Sequence, residues 1–397
     1  MIGTDGLLTT IGAPDWLVHP PLQSLMAAFE DAGHQIYAVG GCVRDAAMDR
    51  PVKDVDLSTD ARPDQTTKII DDMGWKSVPT GIDHGTVTAV PPKGAPAYEI
   101  TTFRKDVETD GRHAVVAFSD RIEDDAMRRD FTINAFYADR TGAVRDVVGG
   151  STDLARRHIR FIGDPTERIR EDYLRILRFF RFTGSHGASE DGVDADGLSA
   201  CAMLADGLDG VSRERIGMEF TRIVSDMNAA PTVGMMEHSG VLGRILPGAG
   251  VVTLARLIDL EETSAVAGIR DMPTRLASLG CEDVAERLRL SKRDAAKVDL
   301  VRKEAGTLTP AHELGYRHGY LPALQCLLLR WAVLLQPFDE VAQADAALGA
   351  KAKFPVSAPD LMPKFSGKAL GDQLKMLESA WIKSRFSFTR DDLLKIT

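Results

Sequence analysis

Two aspartates separated by one residue, Asp54 and Asp56, close the segment IYAVGGCVRDAAMDRPVKDVDLST, residues 36–59. Alternate side chains of a β-strand project from one face, so these carboxylates are predicted to lie side by side, with Val55 turned into the core. Adjacent carboxylates repel each other unless a cation lies between them, and their hard oxygen atoms suit Mg²⁺. The pair is therefore a candidate metal site.

A Gly-Gly pair, Gly40 and Gly41, precedes the aspartates by one short predicted helix. Glycine has no side chain to block an approaching phosphate, and a helix beginning near Val43 would direct backbone N–H groups toward it. Either motif alone is usually a turn or a solvated strand edge. Their joint order predicts nucleotidyl transfer from a nucleoside triphosphate.

A third candidate lies in GDPTERIREDYLRILRFFRF, which begins at Gly163. At helical spacing, the residues after Pro165 separate into an apolar face and a polar stripe beside which Asp172 and Arg175 lie. A carboxylate and a guanidinium on one helix face match the amine donor and ring-nitrogen acceptor shared by cytosine and adenine, and mismatch uracil and guanine. An ordinary salt bridge on a helix surface is the simpler interpretation of this pair taken alone.

The elements that must position these residues form an α/β start and an all-helical remainder. Alternating or β-branched patterns predict strands at 35–39, 53–58, 85–90, 97–103 and 143–147. Helices are predicted at 21–32, 43–49 and 63–73, and helical spacing dominates after Arg156. Residues 184–197 are predicted to form an acidic loop between helices. The fold class is predicted to be α+β, with a small mixed sheet followed by helical domains.

Composition restricts the class of protein further. A chain of 397 residues predicts several domains, and its net charge of −10 is unusual for a nucleic-acid enzyme. However, residues 156–181 hold eight arginines against four acidic residues, which favours phosphate or base recognition. Four scattered cysteines predict structural thiols in the cytoplasm. The apolar stretch 324–335 is too short for a membrane span, so no membrane association is expected.

Taken together, the motifs resemble those of the class II tRNA nucleotidyltransferases, the CCA-adding enzymes, which share their head with bacterial poly(A) polymerases. The matching motifs lie within residues 36–219 and are GGxVRD at 40–45, DxD at 54–56, RRDFTINA at 128–135, GDPxxR at 163–168, EDxxR at 171–175 and SRERI at 212–216. The resemblance implies a nucleotidyltransferase head (palm) at 1–155, a helical neck with the nucleotide-selecting helix at 156–230, a helical body at 231–305 and a helical, tRNA-binding tail at 306–397.

The resemblance also implies roles for individual residues. Asp54 and Asp56 would hold the two Mg²⁺ ions of a two-metal nucleotidyl transfer that adds CCA without a template and releases pyrophosphate, with Glu99 of YEITTFR as a third catalytic acid. The nucleotide-binding residues would act on the triphosphate, the ribose and the base; they are Gly40, Gly41, Arg44, Arg129, Asp130, Asp172, Arg175 and Arg178. The expected partners are the tRNA 3′ end, CTP and ATP. One departure is Ala114 in DGRHAVV, where the family often has proline.

Several alternatives stay open at this point. A poly(A) polymerase usually carries a basic GRRF-type run after the DxD motif, whereas this chain has Thr80-Gly81-Ile82-Asp83, so CCA addition is favoured. An enzyme that adds only CC or only A is also compatible with the sequence. A non-catalytic RNA-binding scaffold is disfavoured by the three retained acids. The sequence does not decide between a monomer and a dimer.

Overall fold

A computed structural model describes residues 7–81, 84–92, 94–109, 114–187, 192–263, 266, 269–362 and 364–396. The chain divides into two compact units. The first consists of Met1–Asn228 with His238–Ile245, and the second of Ala229–Glu237 with Leu246–Thr397. This division is coarser than the four domains predicted from the sequence, whose boundaries stay a prediction.

The first unit contains all the strands of the described residues. They are β1 (Ile36–Val39), β2 (Asp56–Thr59), β3 (Lys76–Gly81), β4 (Thr86–Val90), β5 (Tyr98–Thr102), β6 (Arg104–Thr109), β7 (Ala114–Phe118), β8 (Phe136–Ala138) and β9 (Val144–Asp146). Seven form one sheet in the order β3-β4-β5-β2-β1-β8-β9, and β6 pairs with β7 separately. Only β2 and β5 pair in parallel, so the sheet is mixed as predicted.

The register of the central strands brings several strand ends to one edge of the sheet. β1 and β2 run antiparallel with Ala38 opposite Leu57, so the end of β1 lies near the start of β2. β2 and β5 run parallel with Asp56 opposite Glu99. β1 is buried along its whole length, which its sequence IYAV explains. The segment after Val39 and the first residues of β2 and β5 therefore meet at this edge.

Helices of the first unit precede, separate and follow these strands. They are α1 (Pro20–Asp31), α2 (Gly41–Ala47), α3 (Pro63–Asp72), α4 (Ile122–Met127), α5 (Ser151–Arg156), α6 (Pro165–Glu171), α7 (Leu174–His186), α8 (Ala195–Met203) and α9 (Arg213–Ser225). The sequence-predicted helices at 21–32, 43–49 and 63–73 correspond to α1, α2 and α3. The loop predicted at 184–197 is shorter, because α7 continues to His186 and α8 begins at Ala195.

The single helix predicted after Pro165 is wrong, because the chain breaks it into α6 and α7. Asp172 has an extended backbone, with φ −155° and ψ 103°, and its side chain accepts a hydrogen bond from the Leu174 N–H at 3.1 Å. Tyr173 packs so closely on Gly207 that a Cβ atom there would lie 1.9 Å from its ring. This contact and the Asp172 hydrogen bond locally replace helical geometry.

An aromatic cluster joins the segment around Phe131 to α7. The rings of Phe131 and Phe161 are 4.8 Å apart, and the rings of Phe161 and Phe179 stack at 5.5 Å. All three side chains are fully buried. The segment 128–135 is thereby fixed to α7 within the first unit.

The second unit is helical throughout its described residues. Its helices begin with α10 (Ala229–His238), while α11 (Val241–Ile245) belongs to the first unit. The others are α12 (Val252–Glu261), α13 (Met272–Ser278), α14 (Val284–Arg287), α15 (Lys292–Ala305), α16 (Ala311–His318), α17 (Tyr320–Val333), α18 (Glu340–Lys351), α19 (Ala358–Leu361), α20 (Gly367–Lys383) and α21 (Arg390–Leu394). The α+β fold class is confirmed.

Two apolar features of this unit are buried. α17 contains most of the apolar stretch and is largely buried. Trp381 is a core residue, packed with Leu377, Ile382 and Leu393. In the part of the chain that the structure describes, no helix has both the length and the apolar character needed to cross a membrane.

A buried ion pair links α12 and α13. Glu261 accepts hydrogen bonds from Arg275 Nε at 2.9 Å and Nη2 at 2.7 Å, and Arg275 is only 1% exposed. Burial raises the pKa of Glu261, and Arg275 opposes that shift. A buried charge that loses its partner is strongly destabilising, because neither water nor an opposite charge then compensates it.

We therefore expect Glu261→Ala to lower the free energy of unfolding by about 3–5 kcal/mol. The matched control is Glu313→Ala, which removes a partly exposed i,i+4 pair with Arg317 from α16 of the same unit. That variant should lose only about 0.3–0.5 kcal/mol. Urea denaturation of both variants tests this, and equal losses would contradict it.

Candidate active site

Three acidic residues meet where the strands β2 and β5 begin. Asp56 is the first residue of β2, Glu99 is its partner across the β2–β5 pair, and Asp54 lies two residues before β2. The sequence-predicted strand at 53–58 therefore begins too early, and Val55 is half-buried, not a core residue. All three acids are exposed and line one open pocket of 660 Å³.

The electrostatics of Asp56 reflect this crowding. Although the Asp56 residue is exposed, surrounding protein atoms partly desolvate its carboxyl and raise its pKa, and the negative charges of Glu99 and Asp54 raise it further. The positive charge of Arg129 lowers it, but not enough to reverse the shift. The ionised form of Asp56 is therefore disfavoured without a cation, as expected of carboxylates that bind one.

The chemistry of these oxygen donors fits a divalent metal ion. Within the described ranges, no group of three or more His, Cys, Asp or Glu side chains is arranged to hold a metal. Mg²⁺ does not require three protein ligands, because it commonly binds through one or two carboxylates, with water and substrate phosphates as further ligands. A pair such as Asp54 and Asp56 meets that requirement.

The Gly-Gly pair, Gly40 and Gly41, forms a turn directly after β1, which we call the elbow. Gly40 has φ +73°, a conformation that favours glycine, and caps α2, which starts at Gly41 and not near Val43 as predicted. A Cβ atom at Gly40 would lie 3.3 Å from Arg129 Nη1 and 3.6 Å from the Asn134 carbonyl oxygen. The bare backbone at Gly40 thus lets a guanidinium lie against the elbow.

Arg44 lies beneath this elbow with its guanidinium buried. Nη1 donates to Asn134 Oδ1 at 2.6 Å and Nε donates to Asp45 Oδ1 at 2.9 Å. The guanidinium also lies 5.1 Å from the centre of the Phe182 ring. Arg44 therefore links α2 to the segment 128–135 and to α7.

Arg129 lies between the elbow and a fully buried carboxylate, Asp125. Its Nη2 donates to Asp125 at 3.0 Å and its Nε donates to the Tyr137 hydroxyl at 3.1 Å. Burial alone would raise the pKa of Asp125, but Arg129, Arg128 and the Tyr137 hydroxyl hold it well below its usual range. Sequence reasoning missed Asp125, because Arg129 lies beyond the end of α4 and the pair is not an i,i+4 pair within one helix.

Asp130 is buried and forms an ion pair with Arg178. Its carboxylate accepts from Arg178 Nε at 2.7 Å, from Asn134 Nδ2 at 3.0 Å and from the Phe131 N–H at 2.9 Å. Burial tends to raise the pKa of Asp130, and Arg178 and Asn134 outweigh that effect and lower it. Arg178 also lies 3.8 Å from Glu219 of α9.

Asp172 and Arg175 do not lie on one continuous helix, because Asp172 occupies the break between α6 and α7. Asp172 pairs with Arg215 of α9, whose Nη2 donates at 2.7 Å. Arg175 donates from Nη1 to the Arg168 carbonyl at 2.7 Å and also pairs with Glu171. The two side chains therefore do not form the carboxylate and guanidinium pair on one helix face that the sequence predicts. Arg215 and Glu171 were not identified as part of it.

The sequence places two histidines, His84 and His113, in loops near the site, where ordinary surface roles are favoured over contact with phosphate. The backbone carbonyl of His84 accepts a hydrogen bond from Arg104 Nη1 at 2.5 Å, and the residue is exposed. His113 and the neighbouring Arg112 lie outside the described residues. The roles assigned to the site residues stay predictions.

Comparison with known proteins gives consistent similarities. Residues 36–160 match the family model "Poly A polymerase head domain", and residues 193–250 match "Probable RNA and SrmB- binding site of polymerase A". The mitochondrial CCA tRNA nucleotidyltransferase 1 of Mus musculus is 33% identical over 395 residues, covering 94% of this chain and 88% of that protein. The CCA-adding enzyme of Streptococcus gordonii is 34% identical and covers 91% of each chain.

Solved structures agree in fold. The Bacillus stearothermophilus CCA-adding enzyme in complex with CTP has a TM-score of 0.73 and 27% identity, covering 92% of this chain and 94% of that one. The Thermotoga maritima CCA-adding enzyme complexed with tRNA has a TM-score of 0.71 at 18% identity, covering 98% and 99%, which supports the fold alone. The chain thus belongs to the family of CCA tRNA nucleotidyltransferases, which carry the poly(A) polymerase head domain.

Proposed function

We propose that this protein adds CCA to the 3′ end of tRNA without a nucleic-acid template, using CTP and ATP and releasing pyrophosphate. The observation that carries the proposal is the meeting of Asp54, Asp56 and Glu99 beside the elbow, in a chain related over most of its length to CCA-adding enzymes. In each step the RNA 3′-hydroxyl releases its proton to solvent and its oxygen bonds to the α-phosphorus, while the bond from that phosphorus to pyrophosphate breaks. No protein nucleophile is needed.

Two Mg²⁺ ions would be held by Asp54 and Asp56 together with phosphate oxygens. When bound, they supply positive charge at the attacking hydroxyl and at the leaving pyrophosphate. Glu99 completes the acidic set from the neighbouring strand. These acids concentrate negative charge at one edge of the sheet, and so they favour binding of a divalent cation.

The triphosphate would bind at the elbow. Gly40 and Gly41 give it access to the backbone, and Arg129 Nη1 lies against Gly40 to meet its negative charge. Arg44 and Asp130 would support the nucleotide site indirectly, because both form hydrogen bonds that hold the segment 128–135 in place. Asp172, Arg175 and Arg178 would select and orient the base and phosphates.

Four buried free cysteines fit a reducing compartment such as the cytoplasm.

The direct test supplies tRNA lacking its 3′ CCA with Mg²⁺ and each nucleotide alone, and then with CTP and ATP together. Sequencing of the products should show CCA and nothing longer. A long adenosine tract would instead indicate polyadenylation, while products ending in CC or in a single A would indicate a partial enzyme. Absence of incorporation would overturn the proposal.

Removal of either metal-binding carboxylate should abolish incorporation without harming the fold. We expect Asp54→Ala and Asp56→Ala to lower kcat by about 100-fold or more, as loss of a charged group that stabilises the transition state does. The free energy of unfolding should not fall for Asp56→Ala, because its ionised carboxylate is disfavoured where it lies. Primer-extension kinetics and urea denaturation measure the two effects.

The control is Asp31→Ala, which removes an exposed aspartate from the end of α1, away from the pocket. That variant should keep full activity. Substantial activity in Asp54→Ala or Asp56→Ala would refute the metal assignment.

The base-selecting role of Asp172 makes a separate prediction. Asp172→Ala should reduce the preference for CTP and ATP over UTP and GTP by about 10- to 100-fold, the range expected when one specific hydrogen-bonding partner is lost. Misincorporation ratios from single-nucleotide extension assays provide the measurement.

Arg215→Ala separates base selection from bracing, because it breaks the Asp172–Arg215 pair and keeps the Asp172 carboxylate. If Asp172 reads the base, Arg215→Ala retains selectivity. An equal loss in both variants would show that Asp172 serves only to brace α9.

A further inference from the structure

The pocket at the acids extends away from the elbow. Beyond the acids, its lining includes Trp16, His19, Lys53, Ala97 and Tyr98. None of the eight residues predicted to bind the nucleotide lines it. The acids thus have the elbow and its arginines on one side and this pocket on the other, and nucleotidyl transfer requires two substrates to meet at them.

We propose that this pocket binds the 3′-terminal nucleotide of the acceptor RNA, with Trp16 as the surface on which its base stacks. The proposal rests on the proposed function, because it assigns the second substrate of that reaction. A volume of 660 Å³ is in the range of pockets that hold small ligands and leaves room for one nucleotide.

Trp16 is held by a turn whose backbone is fixed. The Leu17 and Val18 N–H groups donate to the Pro14 carbonyl at 2.8 and 3.2 Å, and the Leu17 side chain is buried. Gln23 of α1 donates to the Leu17 carbonyl at 2.9 Å. A rigid turn places an aromatic ring at little cost in conformational entropy, which favours binding.

The accessible part of the Trp16 ring is apolar. Its indole Nε1 atom is buried and, among the described residues, has no hydrogen-bond partner. Trp16 is half-buried and lines the pocket, and with Nε1 buried any ring atoms that remain accessible are carbon. An aromatic surface of this kind stacks with any base, because every base has a π-face.

The floor of the pocket is tied to the acids. His19 Nδ1 is hydrogen-bonded to the Tyr98 hydroxyl at 3.1 Å, and Tyr98 is buried on β5 next to Glu99. The segment that carries Trp16 is therefore connected to the strand that carries Glu99. A base stacked on Trp16 would hold its own ribose hydroxyl at a fixed position relative to the acids.

Lys53 supplies the charge that an RNA terminus requires. Its side chain is exposed, lines the pocket and directly precedes Asp54 in the chain. A cation here attracts the phosphate of the entering strand and offsets the repulsion that the acids would exert on it. Asp15 also lines the pocket, so Lys53 is one cation beside four carboxylates, and the similarity to sites for single-stranded nucleic acid rests on the aromatic surface of Trp16.

The test uses the full chain and a tRNA that lacks CCA and ends in 2-aminopurine, whose fluorescence falls when the base stacks. The wild type should quench the probe in the absence of nucleoside triphosphates. Trp16→Ala and Trp16→Leu should lose this quenching, and Trp16→Phe should keep most of it. Trp75→Phe, which changes another half-buried tryptophan of the same unit outside the pocket, should quench like the wild type.

Kinetics distinguish the RNA terminus from the base of the incoming nucleotide. Trp16→Leu should raise the KM for RNA by about 5- to 100-fold, the range expected for one lost base stack, and leave the KM for CTP unchanged. A rise in the KM for CTP alone would assign the pocket to the incoming nucleotide and overturn the proposal. Quenching in Trp16→Leu equal to that of the wild type would also overturn it.

The two proposals fail in different ways. A wild-type protein that quenches the probe but adds no nucleotide would contradict the proposed function and leave the pocket assignment intact. Addition of CCA by both the wild type and Trp16→Leu, with equal KM for RNA, would contradict the pocket assignment alone.

Discussion

The first unit depends on one buried carboxylate, Asp130, which joins three separate parts of the chain. It pairs with Arg178 of α7 and accepts from Asn134, and Asn134 in turn accepts from Arg44 of α2. The elbow, the segment 128–135 and α7 are thereby connected through hydrogen bonds between charged and amide groups. A buried ionic group tolerates little displacement, because any gap leaves a charge without compensation. The positions of the proposed nucleotide-binding residues relative to one another follow from this connection.

The same connection limits what the arginines can offer a substrate. Arg44 and Arg178 direct their guanidiniums at protein acceptors, and both lie against Phe182. Arg129 differs, since its Nε and Nη2 donate to Tyr137 and Asp125 while Nη1 lies against Gly40. A guanidinium has five N–H donors, so one held from behind can still present others. Arg129 is thus the arginine best placed to act on a phosphate at the elbow, and Asp125 positions it.

The sequence predicts those parts of the site that depend on local patterns. The elbow and α1 to α3 follow from glycine and helical periodicity, and the structure places them close to the expected bounds. Strand alternation does not account for the aspartates, because Asp54 lies before β2. The strand β3 was missed because it is largely exposed and contains Pro79, which an edge strand tolerates. The break at Asp172 was missed for a different reason. It depends on Tyr173 packing against Gly207, a contact between residues 34 positions apart that helical periodicity cannot reveal.

The order of strands places Asp56 between the two sites that we propose for the two substrates. β2 lies between β1 and β5 in the sheet, so its first residue, Asp56, has the elbow after β1 on one side and Glu99 on the other. The elbow leads to Arg129 and the base-selecting candidates, whereas β5 leads through Tyr98 and His19 to Trp16. A reaction between a triphosphate and an RNA terminus needs both to reach the carboxylates proposed to bind the metal, from opposite directions. The antiparallel pairing of β1 with β2 puts the elbow on one side of Asp56, and the parallel pairing of β2 with β5 puts Glu99 and the pocket on the other side.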